Sequence, residues 1–136
     1  MSYSLLDNLG KLVLRVSIGG MLLLHGIGKL VGGIGGIEQM VMAAGMPAIV
    51  AWGVYLGEVL APLLMILGFY TRLGGLIAAT SMVFAILLAH SAHIFSLSPM
   101  WGWAIETQGL FLFGAVAVAL LGAGRYSMGG IGGRWN

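Results

Sequence analysis

Apolar runs fill most of this chain, and the polar positions that interrupt them recur at intervals of about one bilayer thickness. A membrane-crossing helix needs about 20 mostly apolar residues, and four stretches reach that length, at 9–31, 48–69, 73–95 and 103–123. Gly68-Phe69-Tyr70-Thr71-Arg72 predicts a tight hairpin between the second and third. Ser96-Leu97-Ser98-Pro99 ends the third, since proline removes a backbone donor. Between the first two stretches lies a glycine-rich segment, 32–36, followed by 37–47. In the latter, Ile37, Met40, Val41 and Ala44 recur at helical spacing, while Glu38 and Gln39 take another face. Gly45 is placed to end a short helix and Pro47 to start the next. The pattern predicts a short amphipathic helix in the membrane interface, with a plain surface loop as the alternative. No internal repeat is evident. The expected fold is an all-α integral membrane protein with one domain over 1–136. It is a four-transmembrane-helix bundle with a short interfacial helix between helices 1 and 2.

Composition supports the bilayer as solvent. Of the 136 residues, 60% are hydrophobic and 7% charged, against roughly 25% charged in a soluble domain. The net charge is +2 with no basic run, so nucleic acid has nothing to grip. There is no cysteine. This excludes disulfide exchange, a thiolate nucleophile, an iron–sulfur cluster and c-type haem attachment. Electrons handled here would have to be carried by a bound cofactor, quinone or metal. The first apolar run ends in His25-Gly26-Ile27-Gly28-Lys29, without the small-residue cleavage pattern of a secretory signal, so a retained first helix is expected.

With four crossings, Lys11, Arg15, Arg72, Arg125 and Arg134 fall on the side of the termini and Lys29 alone on the other. The positive-inside rule then puts both termini in the cytoplasm. Trp101 and Trp103 suit the outer headgroup belt.

Ionisable side chains inside spanning helices are costly and are functional candidates by default. His25 and Lys29, four apart, share one face in the outer third of the first helix. Glu58 lies half-way down the second, with Tyr55 one turn before it. His90 and His93 fall toward the outer end of the third, and Glu106 and Gln108 near the start of the fourth. The inner half carries only Lys11, Arg15 and Arg72, placed to snorkel to the surface. The asymmetry predicts a polar pocket in the outer half, built from His25, Lys29, Glu58, His90 and Glu106, with Tyr55 as an extra donor. Each residue also has a plainer reading. Lys29 can snorkel, Glu106 can favour a helix start, His93 can be solvated, and His25 can bond a neighbouring carbonyl. Glu58 is hardest to dismiss.

Three chemistries fit such a pocket. Histidine with a carboxylate can bind and deprotonate a quinol; two histidines on facing helices can ligate haem iron; histidines with Glu58 and Glu106 can hold a divalent metal. The His90/His93 spacing lacks the signature of a zinc protease helix, and Gly26-Ile27-Gly28-Lys29-Leu30 lacks the spacing of a phosphate-cradling loop.

Leu14-Arg15, Leu24-His25-Gly26-Ile27-Gly28-Lys29-Leu30, Ala44-Gly45-Met46-Pro47, Gly57-Glu58 and Leu67-Gly68-Phe69-Tyr70-Thr71-Arg72 follow one another along the chain. Together these motifs resemble the DoxX family of small bacterial membrane proteins. The tail, Gly122-Ala123-Gly124-Arg125-Tyr126-Ser127-Met128, is similar to the family's closing motif, except that Gly129 stands where an acid often follows. The resemblance implies a four-helix inner-membrane bundle and a link with quinone-coupled oxidation, without fixing a substrate. It points first to a quinone-interacting membrane subunit of an oxidoreductase system. There His25 or His90 would bond a quinone oxygen, Glu58 would exchange the proton and Lys29 would stabilise the anion. The alternatives are a non-catalytic anchor or assembly factor for a partner enzyme, a small-solute transporter, and a haem or metal protein. The expected surroundings are the lipid bilayer and either protein partners of a redox complex or further copies of the chain. Polar groups confined to one half, and no inverted repeats, argue against a transporter.

Overall fold

The computed structural model describes residues 3–136. Its helices are α1 (Tyr3–Gly32), α2 (Gly35–Ala43), α3 (Ala48–Leu67), α4 (Thr71–Ala89) and α5 (Glu106–Leu121). Among the described residues there is no strand; one isolated antiparallel bridge joins Leu97 and Trp103. α1, α3 and α4 are long and apolar enough to cross a membrane, whereas α5 is a shorter apolar helix of 16 residues. At 1.5 Å per residue α5 covers about 24 Å. Large apolar side chains line the outside of the bundle, as on α1, where Val13, Leu24 and Val31 are exposed. Such a surface suits lipid and not water.

Successive long helices run in opposite directions, which places both termini and the α3–α4 turn at one end of the bundle. α2 and the 90–105 loop lie at the other, distal end. Small residues let the helices close on one another. A Cβ on Gly75 would lie 2.8 Å from the Ala115 carbonyl oxygen and the Ala119 nitrogen, and one on Gly19 would lie 2.9 Å from the Ile66 side chain. Around these approaches Leu22, Ala61, Met65, Ala78, Met82, Phe111, Ala115 and Val118 form the core.

α2 is the predicted short helix, and its end follows from the glycine. Gly45 takes φ +85°, Met46 N–H bonds the Val41 carbonyl (3.1 Å) and Gly45 N–H the Met42 carbonyl (3.0 Å). This is a Schellman stop, for which a left-handed glycine is favoured. Its other face is not free, because Val41 is fully buried against Ile34 and Ala51. α2 therefore covers the distal end of α3.

Two sequence expectations are corrected here. The third helix ends at Ala89 instead of near residue 95, with His90 as its C-cap (φ −131°) and Ser91–His93 a single 3-10 turn. Local bonds compete for this segment: the Trp103 indole N–H takes the Ile94 carbonyl (2.6 Å), and Ala104 N–H takes that of Ser96 (3.0 Å). Trp103 is accordingly half-buried inside the loop, and only Trp101 projects as expected. The second correction concerns arginine. Arg15 does not snorkel; it is buried, with 2% exposure. Its guanidinium donates to the carbonyls of Met65 (3.0 Å) and Ile66 (2.6 Å) at the end of α3, Ala123 (3.1 Å), and Tyr126. Arg72 does the same for α5, donating to Ala119 (3.1 Å) and Leu120 (2.6 Å). The C-terminal carbonyls of a helix carry its negative pole, so the buried Arg15 guanidinium finds compensation from carbonyls, and Arg72 adds to its α5 carbonyls a bond to the Asn136 oxygen (3.1 Å).

Candidate functional site

Glu58 sits where α3 leaves regular geometry. Pro62, four residues on, has no N–H to return to the Glu58 carbonyl, and the backbone over Leu56–Leu60 widens into a π-turn. Such turns recur at functional sites. The released carbonyl is pressed against α1, where a Cβ on Gly26 would lie only 2.0 Å from the oxygen. Glycine at 26 is thus a condition for α1 and α3 to meet at this depth.

That approach brings Lys29 to Glu58. The Glu58 side chain is buried, with 5% exposure, and Lys29 Nζ donates to its Oε2 in an ion pair. The Tyr55 hydroxyl donates to the Lys29 carbonyl (3.3 Å), a second tie between the same helices. Among the described residues the other ion pair is Lys11–Asp7 (2.7 Å), one turn apart near the start of α1. Glu58 is the one buried acid among those described.

The pair lies on the wall of a cavity of about 450 Å³ between α3 and α4, covered distally by Ile37 and Met40 of α2. Its polar lining is Lys29, Glu58, Thr80, Ser81 and His90; Val50, Val54, Ile77, Phe84 and Leu88 make it otherwise apolar. An apolar cavity of a few hundred cubic ångströms with a few converging polar groups is the usual character of a small-molecule site. It begins where the helices are closest, since a Cβ on Gly57 would strike Ser81 at 2.1 Å. His90, half-buried, closes the distal end, with Nε2 3.2 Å from Gln108 Nε2 of α5.

The structure brings together Lys29, Glu58 and His90 on the cavity wall; Tyr55, expected as an extra donor, does not line the cavity and gives its hydroxyl to the Lys29 carbonyl, and two further expected members are left out. His25 is exposed on the flank of α1 toward α5, its ring edge-on to Phe111 (5.4 Å between centroids). It lines an open groove with Leu24, Gly28 and Lys29, and does not line the cavity. Residues four apart are offset by about 40° around a helix. The long Lys29 stem crosses that offset to the interior, and the short imidazole does not. Glu106, exposed at the start of α5, also lies outside the cavity lining. His93 is exposed because α4 ends before it. Among the described residues no group of three or more His, Cys, Asp or Glu is placed to hold a metal ion. Thr80 and Ser81 were missed by the sequence reading, having no signature of their own.

A buried carboxylate paired with a half-buried ammonium and facing an apolar chamber, in a bundle built from membrane-length helices, defines a small polytopic membrane protein with a potential ligand site. The chain matches the DoxX family over residues 10–91 and belongs to it. That match runs from α1 through His90, so it contains the ion pair and the whole cavity lining; the expected likeness of the tail lies outside it. No curated protein and no solved structure matches the chain.

Proposed function

We propose that this DoxX-family protein is a quinone-interacting membrane subunit of an oxidoreductase system of the bacterial inner membrane. In this reading α5 completes a four-crossing bundle with both termini in the cytoplasm, and α2 lies at the outer interface. The cavity then occupies the outer half of the bilayer. The observation that carries the proposal is the Lys29–Glu58 pair on the wall of the apolar cavity. A quinone offers two oxygens that accept hydrogen bonds and become charged on reduction. Lys29 stabilises that negative charge, and His90 bonds the ring oxygen at the other end. Glu58, released from Lys29 when the ligand takes its place, exchanges the proton. Electrons come from a partner subunit.

The test is quinone binding to the purified protein and to Glu58→Gln, which keeps the shape and removes the charge. At least a tenfold loss of affinity is expected (about 1.4 kcal/mol or more); unchanged affinity in a folded variant contradicts the proposal.

A second reading, a non-catalytic anchor or assembly factor, is favoured by one feature: the ion pair is also one of the polar ties between α1 and α3. In that case Glu58→Gln lowers thermal stability and recovery of the partner complex, with no quinone binding to lose.

A further inference from the structure

The cavity is not closed on the side away from the bundle core. Thr80 and Phe84, one turn apart on α4, line it and are also exposed at the protein surface. Gly53 of α3 lines it too, is exposed, and has nothing within 4 Å of where a side chain would begin. Thr80 stands at the middle of Thr71–Ala89, a helix of membrane-crossing length. An opening at that height meets acyl chains, not water. The helices diverge here for a local reason. They are in contact at Gly57 and Ser81, and one turn further along, α3 presents Gly53, with nothing within 4 Å of where its side chain would begin, so a gap remains beside Phe84 and Ala85 of α4.

We propose that this gap is a lateral portal, through which the apolar tail of a membrane-soluble quinone leaves the cavity. The ring lies between the Lys29–Glu58 pair and His90, and the chain runs out between Gly53 and Phe84 into the acyl region of the bilayer. This rests on the head-group reading above and adds to it a substrate class: quinones with a long apolar substituent, taken from the membrane and not from water. Gly53 and Phe84 at the rim fit a chain, and Lys29, Glu58 and His90 fit a ring with oxygens at both ends.

The experiment uses the full chain in lipid nanodiscs and two ligands with the same benzoquinone ring, one carrying a decyl chain and the other only methyl groups. Affinity is expressed per mole fraction in the lipid, so partitioning into the bilayer cancels. The decyl compound is expected to bind at least about tenfold tighter, because its chain, already in an apolar solvent, gains closer packing contacts with the protein at the rim than acyl chains give. Gly53→Leu fills the portal from a Cβ position with nothing within 4 Å. It is expected to bring the two affinities within about twofold by weakening the decyl compound alone, whereas Gly53→Ala keeps the advantage. Equal affinities in the unmodified protein, or a decyl advantage that survives Gly53→Leu, overturn the portal while leaving the head-group site standing. Binding of neither ring overturns the head-group reading and the portal together.

Discussion

Lys29 and Glu58 depend on each other. Glu58 is buried and Lys29 half-buried, and removing the ammonium that compensates a buried carboxylate costs up to about 3–5 kcal/mol. Lys29→Met is therefore expected to destabilise the protein by that order, read as a lowered unfolding temperature in detergent. Lys29→Met with Glu58→Gln should recover much of the loss, because no unpaired charge remains; a double variant as unstable as Lys29→Met contradicts the pairing. Arg15 is a different kind of buried charge. Its fork reaches carbonyls at the end of α3 and in the tail together, which a single ammonium cannot reproduce. Arg15→Lys should cost about 2–5 kcal/mol and loosen the tail, seen as faster hydrogen exchange at Met128 and Gly129, whose N–H groups bond the Leu67 and Gly68 carbonyls. Unchanged exchange there would show that the tail is held independently of Arg15.

Among the elements, α1 and α3 are held in register by Gly26, and α3 and α4 by Gly57. Gly26→Val should push α1 off the π-turn and part Lys29 from Glu58. The expected result is a loss of stability larger than that from Ala at exposed Gly28, where nothing lies within 4 Å, measured by thermal unfolding of the two variants side by side. The run lengths and the Gly45 and Gly68 stops made the helices legible in the sequence, because apolar periodicity and left-handed glycines act locally. The end of α4 was not legible. Ile94 and Phe95 continue the apolar pattern, yet the chain turns after Ala89 because Trp103 and Ala104, far along the sequence, claim the Ile94 and Ser96 carbonyls. The π-turn left one trace, a proline four residues after a buried acid. Of the residues that line the cavity, Glu58, Lys29 and His90 could be read from depth alone. Depth does not give azimuth, and so His25 was placed at the right height on the wrong flank.

For the whole molecule, the proposed topology puts the 90–105 loop outside the cell and the tail inside. The chain has no cysteine, so single cysteines report on sidedness without a background. In intact cells a membrane-impermeant maleimide should label Ser98→Cys and not Gly132→Cys; the reverse pattern would invert the bundle and move the cavity to the cytoplasmic leaflet. The account as a whole turns on whether Glu58 meets a quinone. Infrared difference spectroscopy between the quinone-bound and quinol-bound protein addresses this directly. A carboxyl band that changes with ligand redox state, and is absent in Glu58→Gln, is the predicted result. Identical difference spectra from the two proteins, both with quinone bound, would contradict it.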